Sequence, residues 1–404
     1  MLDAEYLLRL TEGAEEIAEQ LHNEIIRRVV SRIMARIGRG DSFLLSTADK
    51  YQLELLEDAG YLASDVQEEI AKRTKLQLRE IQLAYEDAGV KAIEYDNAIY
   101  EAAGLQPEVL DKSPHLIRLL QSGYESTAAT WNNLCHTIAD RAQQTFIQEC
   151  DRAYRLVSSG AVSHTEAVAD AINRIAAQGV TIKYPSGHTD TIETATLRCV
   201  RTGVAQACSD ITTARMDEME WDIVLTSAHL GARYTDADDY TNHEWWQGKF
   251  YSRSGDDPRF PPFDVCGLGD VQGICGANCR HSYGPGDGEH NPFKDFDSEE
   301  NQQAYDLSQK QRAMERRIRK AKRELMGLKS GIDNAELPQV KEKLQELYDR
   351  KAIALKRRNE QYRDFCEGNG LKTREQRINV AQFDREQAKA ARAAAKRDES
   401  AAAG

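Results

Sequence analysis

A chain of 404 residues is too long for one typical domain and suits two or three. Its 41% hydrophobic and 29% charged residues fit a soluble protein with a modest core and much exposed helix, and no run approaches the roughly 20 apolar residues of a membrane span. The formal net charge of −13 conceals an asymmetry: the chain is acidic through its first three quarters and basic from Lys310 to Arg397. Such a split suggests a basic arm that could meet nucleic acid or an acidic protein surface, or else a solvated charged helix.

The N-terminus, M-L-D-A-E-Y-L-L-R-L-T-E, has neither a basic n-region nor an apolar h-region, which argues against secretion. Eight irregularly spaced cysteines do not form a secreted disulfide framework, so free thiols made in a reducing cytoplasm are expected. Residues 3–38 read as one amphipathic helix, with Ile25, Ile26, Val29, Val30, Ile33, Met34 and Ile37 on one face and Arg27, Arg28, Arg32 and Arg36 on the other. Helices are expected at about 47–58, 65–88 and 90–103, punctuated by Gly60, Gly89 and Gly104, the second capped by a Ser64-x-x-Gln67 box. Ser113-Pro114 opens a long helix to about Ser158, and Ser163 with Glu166 caps the next.

At Val180 the pattern changes. V-T-I-K-Y-P-S-G-H-T-D-T-I alternates around Pro185-Ser186-Gly187 as a short hairpin does; a helix from about Glu193 to Glu218 follows, then the strand-like W-D-I-V-L-T. After about Asp297 apolar positions return at fours and threes, from Leu307 to Leu328 and again from Val340 to Leu347. They predict an antiparallel helical hairpin or a coiled coil that seeks a partner. The tail beyond Asn369 has high helix propensity but almost no apolar face, so it is expected to be exposed or unfolded until it binds. The fold class expected is mainly α with a small α+β Cys/His-rich domain. Its parts are a helical N-terminal scaffold at 1–112, a helical plus α+β domain at 113–297 and a basic helical extension at 298–404.

Chemistry concentrates between Thr226 and Tyr283. Cys275, Cys279, His281 and His243 are the candidate metal ligands, with Cys266 and His229 as alternates; zinc takes four such N and S donors in a tetrahedron, and glycine-rich turns bring thiolates together. The spacing Cys-x3-Cys-x-His is not a standard finger, and a core of buried thiols and hydrogen-bonded histidines stays open. Two enzymatic readings compete: a Cys279 thiolate activated by Arg280 and His281, and a nuclease-like set of His243, Asn278 and His281 around a divalent ion. Trp245-Trp246 could stack a base or plug the core. Asp236, Asp238 and Asp239 read as a solvated turn, and the Gly284-x-Gly286-x-Gly288 run lacks the strand and helix of a dinucleotide loop.

S-A-H-L-G-A-R (227–233), W-Q-G-K (246–249) and C-G-A-N-C-R-H-S (275–282) resemble the phage minor capsid protein 2 family. V-x-S-G-A-x-S (157–163), Y-P-S-G-H (184–188) and R-C-V-R-T-G-V-A-Q (198–206) match the same pattern in order. More distantly, the His followed by N-C-R is similar to the Mu-F-like head-morphogenesis domain. The resemblance spans about 115–290, and the basic extension is expected to lie outside it. It implies a low-copy virion protein, encoded near the portal gene, inside the head close to the portal, with portal and major capsid proteins as partners. It assigns no catalytic residues. The chain departs from the pattern in placing Y-T-D-A-D-D-Y-T-N between G-A-R and His243. The expected function is a structural role in head assembly, with packaged double-stranded DNA touched by the basic arm; the alternative is a metal-dependent nuclease or other enzyme acting on the phage genome.

Overall fold

In the computed structural model, which describes residues 1–45, 47–184 and 187–402, the mainly α architecture with small antiparallel sheets is as expected. The chain forms two compact units, each gathered from three stretches. One comprises Met1–Glu15, Lys75–Asn132 and Thr196–Gln309; the other comprises Glu16–Thr74, Asn133–Ala195 and Lys310–Gly404. The boundaries expected near 112 and 297 both lie inside stretches of the first unit.

The N-terminal helix is two helices. α1 (Ala4–Arg9) is capped by Asp3, whose carboxylate accepts from the N–H groups of Glu5 and Tyr6, and a turn at Leu10 and Thr11 precedes α2 (Glu12–Ile37). Where three helices were expected, one runs unbroken: α3 (Ala48–Ala102) is 55 residues long and passes through Gly60 and Gly89. A glycine costs a helix only about 1 kcal/mol, which the buried face of α3 outweighs. Ser64 therefore lies mid-helix and caps nothing. α4 (Pro114–Ser158) begins at its proline, and α5 (His164–Gln178) carries the reciprocal Ser163–Glu166 capping box read from the sequence. β1 (Thr181–Lys183) pairs antiparallel with β2 (Thr189–Thr191); Pro185 and Ser186, the expected tip, lie outside the described residues.

In the second unit the apolar face of α2 is core, with Ile25, Val29, Val30, Ile33 and Ile37 fully buried. Its basic face meets the acidic side of α3: Arg28 bonds Glu69, Arg32 bonds Asp65, and Arg36 reaches Glu54 and Asp58. Each partly exposed pair contributes about 0–1 kcal/mol, so these set register more than stability. α8 (Ser298–Asp333) and α9 (Pro338–Gly368) form the antiparallel hairpin, matched at Gly331–Leu344, Glu324–Lys351 and Arg317–Arg358. At Gly327 α8 approaches α5 so closely that a Cβ would stand 2.6 Å from the Ala176 Cβ. α10 (Glu375–Ile378) and α11 (Arg385–Ala402) follow. Contrary to the expectation of an arm without an apolar face, α11 packs on α9 and buries Ala391, Ala394 and Ala395. Alanines at threes and fours make a narrow but real stripe.

The first unit holds α6 (Ile192–Glu218) from Thr196 onward and a three-stranded sheet. There β3 (Ile223–Thr226) lies between β4 (Phe250–Ser252) and β5 (Tyr283–Pro285), antiparallel to both. Trp246, Tyr251, Phe263, Cys266, Cys275, Cys279 and Tyr283 pack as one core cluster against it.

Candidate metal centre

The pairing of β3 with β5 continues one step past the strands. Ser227 N–H donates to the Ser282 carbonyl at 2.8 Å, and Ser282 N–H donates to Ser227 Oγ at 2.9 Å, which fixes His281 at the strand's mouth. From the other side comes α7 (His243–Trp246), a single turn. Asn242 anchors it by donating from Nδ2 to the carbonyls of Thr235 and Ala237. The residues Y-T-D-A-D-D-Y-T-N thus form a stapled loop ahead of His243, with Asp239 closing a turn onto Thr241 N–H. The loop after Cys266 returns Cys279 to the same place.

His243, Cys279 and His281 converge, their ligand atoms all within 4.8 Å of one another. They are 2%, 3% and 1% exposed. His243 Nδ1 lies 3.3 Å from His281 Nδ1, and Cys279 Sγ lies 3.8 Å and 3.7 Å from the two nitrogens. For zinc bonds of about 2.0–2.1 Å to nitrogen and about 2.3 Å to sulfur, the edges of a tetrahedron are roughly 3.4 Å and roughly 3.6 Å. The triangle has the size of one face of a zinc tetrahedron.

Tautomers settle which atoms face inward. Gln247 Oε1 accepts the His229 backbone N–H at 3.0 Å, so the atom there is the amide oxygen, and His281 Nε2 at 3.0 Å must be the donor. His243 Nε2 donates to the Gln272 carbonyl at 2.8 Å. Both Nε2 atoms therefore carry the proton, and both Nδ1 lone pairs point at each other and at the thiol. Two lone pairs at 3.3 Å repel unless a proton or a cation lies between them. Metal-bound histidines carry this kind of outer partner on the second nitrogen.

The protonation balance agrees. Burial lowers the His243 pKa to about 4, against the bond to Gln272, and burial followed by the neighbouring His229 and His243 holds His281 well below its ordinary value. Both are neutral imidazoles, the form that ligates. Burial raises the Cys279 thiol; opposing this are backbone N–H bonds to its sulfur from His281, at 3.3 Å, and from Cys275, together with Arg233 and Arg280. Arg233 is itself fixed by the carbonyls of Gln272 and Ala277. These groups favour a thiolate as soon as a cation is present.

The other expected residues sit near but apart. Cys275 is buried, its thiol 3.8 Å from the His281 carbonyl. His229 stacks on the His281 ring at 4.4 Å. Cys266 lies in the adjoining core beside Tyr251. Trp246 is fully buried, its indole N–H donating to the Tyr240 carbonyl and its ring edge-on to His281, so it is a core plug; Trp245 is 37% exposed. Sequence reasoning missed Gln247 and Gln272. Gln247 sits in the W-Q-G-K motif and could have been found there; Gln272 acts through its backbone and left no signal.

Residues 2–367 match the phage minor capsid protein 2 family. The chain belongs to that family. A structural protein of the phage head is what the family describes, and the virion is the location it implies. The match corrects the expectation that the basic extension lies outside the shared region: α8 and all but the last residue of α9 belong to the phage minor capsid protein 2 pattern. Among curated proteins and solved structures nothing matches. No helix among the described residues is long and apolar enough to cross a membrane.

Proposed function

We propose that this phage minor capsid protein is a structural component of the head interior beside the portal, with the portal and major capsid proteins as partners, and that zinc at His243, Cys279 and His281 stabilises its α+β unit. The family match across residues 2–367 carries the first part. The inward-facing Nδ1 lone pairs carry the second. Quantitative mass spectrometry of purified particles against infected-cell lysate, with cross-linking to the portal, tests the location; enrichment at a few copies per portal is expected, and absence from particles overturns it. Elemental analysis of the purified protein should give one zinc per chain, lost in a His281→Ala variant.

The enzymatic alternative, a nuclease using His243, Asn278, Cys279 and His281, needs a scissile phosphate at the ion. All three cluster side chains are at most 3% exposed, which leaves such a substrate no approach. Metal-dependent cleavage of DNA by the purified protein that disappears in His281→Ala would reverse this judgement.

DNA contact has an observation of its own. The run Arg316 to Arg323 divides by helical phase: Arg319 bonds Glu19, Lys322 donates to the Ile378 carbonyl and Arg323 bonds buried Glu193. Arg316, Arg317 and Lys320 stay exposed, and Lys356 and Arg357 of α9 are exposed where the antiparallel pairing brings the two helices level. Such a face suits contacts with phosphate, which supports the DNA reading. Replacing the five by glutamine should abolish retention on DNA at low salt; unchanged retention sinks the contact. Truncation near residue 300 is the wrong test, because it also removes the partners of Glu19 and Glu193.

A further inference from the structure

We propose that Cys275 is the fourth ligand, closing the centre as a two-thiolate, two-imidazole zinc site. The inference rests on the metal reading of His243, Cys279 and His281.

The other nearby donors are committed elsewhere. A ring nitrogen offers its lone pair in the plane of the ring, and the His229 and His281 rings are stacked 4.4 Å apart and 18° from parallel. Their lone pairs run in separate planes and cannot meet at one ion. Cys266 lies in the adjoining core with Tyr251 and Phe263. Cys275 is differently placed. Its thiol and that of Cys279 both lie 3.8 Å from one atom, the His281 carbonyl oxygen.

Charge favours the second thiolate. A zinc ion with two neutral imidazoles and one thiolate leaves a net positive charge in a buried pocket already faced by Arg233 and Arg280. Unbalanced buried charge is strongly disfavoured. With Cys275 ionised the site is neutral. Each thiol gives its proton to solvent as its Zn–S bond forms, and nothing is oxidised or reduced.

Backbone geometry points the same way. Cys275 has φ of +59°, in the left-handed region where glycine is the ordinary choice. A β-carbon is carried there against local strain, as happens where a side chain is needed.

Cobalt(II) binding to the reduced full-length chain tests this, because the near-ultraviolet charge-transfer band grows with the number of thiolate ligands. Two thiolates are expected, falling to one in Cys275→Ser, with zinc affinity reduced tenfold or more. Cys275→Gly relieves the backbone strain and guards against misfolding. It should also lose half the band while the metal-free protein keeps the parent's far-ultraviolet dichroism. A one-thiolate spectrum unchanged in both variants overturns the role of Cys275 and leaves the three-residue centre standing. No cobalt binding by the parent overturns both.

Discussion

Two carbonyl oxygens, one from a side chain and one from the backbone, decide what the centre can hold. Gln247 Oε1 and the Gln272 carbonyl keep the protons of His281 and His243 on their outer nitrogens. Gln247→Leu removes one of them while keeping an apolar fill. Zinc affinity should fall about 10–100-fold, measured by competition with a chelator, with far-ultraviolet dichroism unchanged. The same burial makes the metal-free protein acid-sensitive. His243 titrates at about 4 in the fold and His281 well below its ordinary value, whereas in the unfolded chain both titrate near 6.5. As pH falls through that interval the unfolded state takes up protons first, so stability is flat above about pH 6.5 and declines toward about pH 4. Denaturant unfolding of the chelated protein against a His243→Asn, His281→Gln double variant isolates this share; equal pH slopes would refute it. At this scale the sequence was informative about donor types. Cys279, His281 and His243 stood out as scarce residues in a glycine-rich stretch. Which nitrogen faces inward, and that His229 stacks rather than ligates, depends on torsions that spacing does not encode.

Helix positions that look alike in sequence separate once their surroundings are known. Gly60 lies within α3 with open space around its Cα, so Gly60→Ala should stabilise the protein by about 0.5–1 kcal/mol through helix propensity alone. Gly327 lies within α8 against Ala176, and Gly327→Val should cost about 1–3 kcal/mol by overpacking, with Gly327→Ala in between. Thermal melts of the set would show opposite signs, and parallel shifts would contradict the packing described. Glu193, at the start of α6, is one of the second unit's buried carboxylates: His22 Nδ1 donates to it at 2.8 Å and Arg323 bonds it from α8. Burial alone would raise its carboxyl; Arg323, His22 and Arg319 together outweigh that and hold it well below the ordinary range. Glu193→Gln leaves the Arg323 and Arg319 guanidinium groups facing a neutral group and should cost about 3–5 kcal/mol by urea unfolding. Helix content, the hairpin of α8 and α9 and the cap of α5 were legible because period and capping chemistry are local. The continuity of α3 was not, because the tertiary burial that carries it past two glycines is not local. Nor was the seat of α11, whose alanines look featureless until α9 is beside them.

Across the whole molecule the charge split proved less simple than composition suggested. Half of the Arg316–Arg323 run serves internal bonds, and only the outward half is left for a partner. The consequence reaches to synthesis. Because each unit is gathered from three stretches separated in the chain, neither can finish while the ribosome is still at work on the middle of the message. Met1–Glu15 must wait for residues as late as Gln309, and Glu16–Thr74 must wait for partners beyond Lys310. Contacts this distant in sequence slow folding and leave incomplete intermediates exposed. A chain stopped early exposes the Ile25–Ile37 face of α2 and the buried carboxyl of Glu193 without their covers. Prematurely terminated copies should therefore aggregate or be degraded before they can compete for places in a particle.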